Sequence, residues 1–269
     1  MIGIASVPLP PDVQTELDKF QADIDKILNY SDRVKAAEQQ FVSKNQNTNP
    51  TFREIRRVLT SMCAGERRCM YCEDSVADEV EHIKPKSLYP EEVFVWLNYL
   101  YACGPCNGPK RNKFEVYSAK NGRRVDVTRG KKALIQPPTA GHPLLIDPRR
   151  EDPLNFMLLD LSGTFFFGGK GAKNSKNFKR AEYTIDLLGL NRRDYLVRAR
   201  RVAAFSYSVH LRDYINRRDI GDTSVELANL ITVIQSMSHP TVWREMQRQK
   251  KTVFSSDDLF AKAPEALTW

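Results

Sequence analysis

The sequence contains no apolar run long enough to cross a membrane, no internal repeat and no low-complexity segment. Its first residues, Met1 to Pro11, lack the basic start and unbroken apolar core of a secretion signal, because Pro8, Pro10 and Pro11 interrupt what apolar character there is. Export is therefore not expected, and a cytoplasmic location is. Cysteine is sparse, five in 269 residues, but a chain of this length buries enough surface to fold without disulfides. Histidine is sparser still, at four. What is abundant is ordinary for a soluble globular protein: 41% hydrophobic and 28% charged residues, which excludes wholesale disorder. The charge is lopsided, with 41 Lys and Arg against 33 Asp and Glu and a pI near 9.2. A basic excess favours polyanionic partners, because cations that neutralise phosphates release condensed counterions. The plainer alternative is a basic, solvated surface.

Apolar residues recur at three- and four-residue steps from Asp12 to about Ser43, predicting a helix broken near Tyr30 to Ser31. After the polar stretch Asn45 to Pro50, Phe52, Ile55, Val58, Leu59 and Met62 predict a short helix over Thr51 to Cys63. Lys110 to Lys132 carries nine Lys or Arg against two acidic residues and reads as a flexible basic loop. The runs Leu144 to Ile146, Phe156 to Leu161 and Thr164 to Phe167 suggest two or three strands, one pair joined at Ser162 to Gly163. Helical spacing returns from Ala181 to about Arg217, in two helices meeting near Gly189 to Arg192, then over Ser224 to Met237 and Thr241 to Lys250. Three parts follow: a helical segment 1–66, a central core 67–135 and a mainly helical region 136–269 with a short strand pair.

The central core carries the chemistry. Four of the five cysteines form two pairs, Cys69-Met-Tyr-Cys72 and Cys103-Gly-Pro-Cys106. Each pair places two thiolates on one tetrahedral ion, and four sulfurs close the coordination sphere, so the spacing predicts structural zinc. The alternative is a set of ordinary buried cysteines; Cys63, left over, reads as a small apolar residue. Between the pairs lie Glu79-Val-Glu81-His82-Ile-Lys84-Pro85-Lys86 and Trp96-Leu-Asn98, and Asn107 and Lys110 follow the second pair closely. Trp96 and Tyr99 read as core anchors of a strand rather than base-stacking platforms.

In that order and spacing the segment 67–114 resembles the HNH, or ββα-metal, nuclease family. The resemblance implies an α+β fold, with a zinc-stapled ββα-metal core flanked by helices on both sides. It also implies residue roles. His82 matches the general base, a task suited to an imidazole. Glu81 and Asn107 match the positions that hold one divalent cation, Mg²⁺ or Mn²⁺, although many family members carry Asp where this chain has Glu81, so Glu79 could share the ion. Asn98 matches the asparagine that bonds across the loop and orients the His segment. Lys110 falls where a lysine could offer charge to a phosphate, or simply be solvated. His142, His210 and His239 have no such company and read as structural or exposed.

A narrower resemblance uses the run Glu81 to Pro90, the segment Ile146-Asp-Pro-Arg-Arg-Glu-Asp-Pro153 and the segment Thr184-Ile to Leu-Asn191. Together these look like the HNH effector nucleases of Septu-type and retron-linked bacterial anti-phage defence systems. That resemblance implies phosphodiester hydrolysis on nucleic acid, DNA before RNA, and an ABC-class ATPase partner docked on the helical flanks. A different class of reading stays open at this point: a catalytically silent, zinc-stapled binding module or adaptor.

Overall fold

The computed structural model describes residues 1–250 and 258–269. It is a mixture of helices and small sheets. Three helices come first: α1 (Pro11–Asp25), α2 (Tyr30–Lys44) and α3 (Pro50–Ser61). The break falls at residues 26–29, because Asn29 leaves the helical conformation and its side chain accepts the Asp32 N–H to start α2. Asn49 caps α3 in the same way, with Pro50 at the first helical position where its missing N–H costs nothing. Phe52, Ile55, Val58 and Leu59 fall on one face of α3 and are all buried, each contributing about 1.5–3 kcal/mol of apolar transfer energy.

Strands β1 (Glu79–His82) and β2 (Tyr99–Ala102) form an antiparallel hairpin, with Glu79 opposite Ala102 and His82 opposite Tyr99. The short helix α4 (Gly104–Lys110) follows at once and packs on β1, while α3 packs on β2. Next come β3 (Glu115–Ser118), β4 (Arg124–Asp126) and β5 (Gly141–Pro143), a three-stranded antiparallel sheet with β3 in the middle. Much of the stretch expected to be a flexible basic loop is thus a hairpin. The reason lies in Phe114, Val116 and Tyr117, which are buried but stand in the sequence among lysines and arginines without a clean two-residue alternation.

Strands β6 (Met157–Leu159) and β7 (Phe167–Gly169) form the expected strand pair, but Leu144 to Ile146 is buried non-strand chain just after β5. The remainder is helical: α5 (Lys176–Leu187), α6 (Asp194–Ile220), α7 (Ser224–Ser236), α8 (Pro240–Gln249) and α9 (Leu259–Lys262). The buried apolar residues form one continuous cluster reaching from Met1 to Ala266. Among the described residues no helix is long and apolar enough to cross a membrane.

Arg149 joins the C-terminal half to the hairpin. Its guanidinium is buried and donates to the carbonyls of Trp96 (3.0 Å) and Tyr99 (2.8 Å), lying 4.4 Å from the centroid of the Trp96 ring. Trp96 itself is buried and donates Nε1–H to the Val7 carbonyl. The start of β2 is therefore gripped from both ends of the chain.

Candidate active site and metal centre

The hairpin and α4 are short, and the cysteines sit at their joints. Cys69 and Cys72 lie in the turn before β1; Cys103 follows β2 as the N-cap of α4 and Cys106 lies in the first turn of α4. The Met70 N–H donates to the Tyr101 carbonyl at 3.0 Å, so the first turn is tied to the second strand. All four sulfurs are buried and lie within 4.8 Å of one another, with Cys72 and Cys103 3.8 Å apart. A tetrahedral ion with metal–sulfur bonds of about 2.3 Å requires sulfur–sulfur edges of roughly 3.8 Å. This donor set could hold structural zinc. The four thiols are coupled through mutual hydrogen bonds, which pull Cys72 and Cys103 below the ordinary thiol range and push Cys69 and Cys106 above it. Arg193, just before α6, donates to the sulfur of Cys106 at 3.2 Å, supplying positive charge beside an anionic cluster.

Next to this staple lies a cleft of about 650 Å³, lined by Glu38, Phe41, Glu79, Glu81, His82, Lys86, Asn107 and Arg111 among others. His82 is 4% exposed. Its ring packs edge-on against Phe41 and Tyr99, at centroid distances of 4.4 and 5.1 Å. Its Nε2 lies 2.8 Å from the Val93 carbonyl. A carbonyl only accepts, so Nε2 carries the proton and the Nδ1 lone pair is left over. Among the described residues Nδ1 has no hydrogen-bond partner, and His82 lines the cleft. Burial holds the imidazole well below its ordinary pKa, with Lys86 and Lys110 adding to the effect, so the ring is a neutral base.

Residues two apart on a strand share a face, which puts Glu79 and Glu81 side by side over α4. Asn107 donates to Glu79 at 2.5 Å. Lys110, one helical turn further on, lies 2.5 Å from Oε1 of Glu81 and donates to the His82 carbonyl at 2.7 Å. Burial raises the Glu81 pKa against the pull of the paired Lys110. Two carboxylates and an amide on one wall of the cleft form an all-oxygen donor set of the kind that fits a hard divalent cation.

Asn98 is completely buried. Its oxygen accepts the Lys84 N–H at 2.8 Å, and its amide donates to the carbonyls of Lys84 (3.1 Å) and Glu92 (2.9 Å). The loop between β1 and β2 is closed by that one side chain.

The structure thus gathers His82, Glu81 and Asn107 on one cleft, and sets Asn98 behind it. Lys110 is placed elsewhere: it is fully buried, does not line the cleft and is held by His82 and Glu81. Its ammonium is engaged by the His82 carbonyl and the Glu81 carboxylate. His142, His210 and His239 do not line the cleft. Sequence reasoning missed Phe41, the platform under His82, and the Val93 carbonyl that sets its tautomer. Neither carries a local signal, since both are ordinary apolar residues brought in by tertiary packing.

Comparison with known proteins points the same way. Over 70 residues, 24% of this chain, the sequence is 37% identical to "Septu protein PtuB" of Bacillus thuringiensis, and the match spans only 27% of that protein's length. Over 177 residues, 63% of this chain and 74% of the relative, it is 26% identical to "Retron Vc95 putative HNH endonuclease" of Vibrio cholerae serotype O1 biovar El Tor. No family model matches the chain, and no solved structure matches it significantly. The two likenesses, at low to moderate identity, support the HNH defence-associated nuclease family.

Proposed function

We propose that the cleft hydrolyses phosphodiester bonds of nucleic acid, DNA in preference to RNA, with β1, β2 and α4 acting as a ββα-metal core. The observation that carries this reading is the His82 tautomer: Nε2 is tied to Val93, which leaves Nδ1 as the free lone pair of a residue that lines a cleft shared with Glu79, Glu81 and Asn107. In that setting Nδ1 takes the proton of the attacking water. Glu79, Glu81 and Asn107 would hold one Mg²⁺ or Mn²⁺, which when bound stabilises the negative charge gathered on the phosphate. Asn98 fixes the loop whose Val93 carbonyl orients the ring, and Lys110 holds the His82 backbone. Zinc at the four cysteines fixes the turn before β1 and the start of α4, from which the hairpin and Asn107 project.

The likeness to a Septu protein and to a retron HNH endonuclease supports a place in a defence system; a cytoplasmic location and an ABC-class ATPase partner are part of the same proposal and rest on the sequence resemblance alone. The helical flanks would offer the docking surface. Val202 of α6 and Val225 and Val233 of α7 are exposed there.

The test is cleavage of plasmid DNA and of RNA by the purified protein with Mg²⁺ or Mn²⁺. His82→Ala is expected to lower the rate by about 10²–10⁴-fold, the usual contribution of a positioned base, with binding and zinc content unchanged. Equal cutting by wild type and variant would leave a zinc-stapled binding module.

A further inference from the structure

Three lysines lie near His82, and among the described residues only Lys86 has neither an ion pair nor a hydrogen bond, its one contact being the face of Phe41. Lys84 is ion-paired with Glu92. Lys110 is paired with Glu81 and bonded to the His82 carbonyl. Lys86 is half-buried and lines the cleft. Its nitrogen lies 5.1 Å from the centroid of Phe41, the same ring that packs 4.4 Å from His82. Lysine and histidine are therefore neighbours on one wall.

The position of Lys86 is fixed rather than incidental. It sits in a turn closed by the Pro85 carbonyl, which accepts the N–H groups of Leu88 and Tyr89, each at 2.9 Å. That turn is anchored through Lys84 to Asn98. Glu38 and Glu81 are the acids whose charge it feels, yet neither reaches ion-pair distance. A partly desolvated cation without a counter-charge is costly, and in a reactive cleft the missing charge belongs to the ligand.

We propose that Lys86 is a phosphate ligand of this cleft, its ammonium meeting a non-bridging oxygen of the phosphodiester that lies beside Nδ1 of His82. This rests on the nuclease reading above and adds a residue to it. Burial also lowers the pKa of Lys86, consistent with an ammonium waiting for an anion.

The experiment compares wild type, Lys86→Met, Lys86→Gln and Lys86→Arg in two assays. One is single-turnover cleavage of a labelled oligodeoxynucleotide with Mg²⁺; the other is binding of the same probe with Ca²⁺ at several salt concentrations. Melting temperature and zinc content serve as folding controls, and Lys86→Gln replaces Lys86→Met if the latter fails them. Loss of Lys86 is expected to slow cleavage by about 10–100-fold and to reduce the salt slope of binding by about one unit, the value of one phosphate contact. Lys86→Arg should recover part of both. Unchanged cleavage and slope in a folded Lys86→Met or Lys86→Gln variant overturns the proposal. If wild type binds but cuts nothing, the nuclease reading fails on its own, and the salt slope alone decides Lys86. If wild type neither binds nor cuts, both fall.

Discussion

His82 is the residue on which chemistry and stability meet. Buried against Phe41 and Tyr99, it is held well below the ordinary imidazole pKa of about 6.5. The unfolded chain therefore binds more protons than the folded one, and the stability of the metal-free protein falls as pH drops through about 6.5 toward the folded value. In His82→Gln that part of the slope disappears, which urea unfolding at a series of pH values reads directly; an identical slope in the variant would refute the buried neutral ring. Asn98 is the second residue to test. Asn98→Leu keeps the volume but leaves the Lys84 N–H without its acceptor and the Lys84 carbonyl without its donor, while the Glu92 carbonyl keeps only the long bond from the Val95 N–H. The expected loss is about 3 kcal/mol, the scale of buried polar groups left unpaired, together with lost cleavage because the Val93 carbonyl drifts. A variant as stable as wild type would show that the loop is held by something else.

The elements differ in how far they were legible. The hairpin and short helix were expected through the family resemblance that the cysteine pairs and the Glu81-His82, Asn98 and Asn107 positions carry, and β1, β2 and α4 occupy that stretch. The helices α1 to α3 were readable within a few residues, since their caps Asn29 and Asn49 are local signals. The β3–β4 hairpin was not, because its few buried positions are lost among charges. The segments outside the core that carried the narrower resemblance prove to be ties between elements. Arg149 bonds the carbonyls at the start of β2, Thr184 of α5 accepts the Ile146 N–H at 3.0 Å, and Asn191 pairs with both backbone groups of Phe167 in β7. Such long-range partners leave no pattern in a single sequence. Arg193 extends the same logic to the cysteine cluster. Arg193→Met is expected to weaken zinc retention about tenfold, as loss of a group supporting metal ligands commonly does, in competition with a chromophoric chelator. Cys69→Ser should release the metal and unfold the core; an unchanged melting profile with full zinc content would contradict it.

At the scale of the whole molecule, charge and exposed apolar surface set the partners. Lys110 to Lys132 concentrates nine cations, so binding to DNA should show weak sequence preference and steep salt dependence. A cleavage map confined to one short motif would count against it. The apolar side chains on α6 and α7 are the proposed contact for the ATPase, and a Val202→Glu, Val225→Glu double variant should lose co-purification of that partner without a change in melting temperature. The most direct test of the account is a crystal soaked in Mn²⁺ and measured for anomalous scattering. The account predicts a manganese peak in the cleft beside His82, bound by Asn107 with Glu79, Glu81 or both, separate from zinc at the four cysteines. A zinc peak with the cleft empty, or manganese bound away from His82, would contradict it.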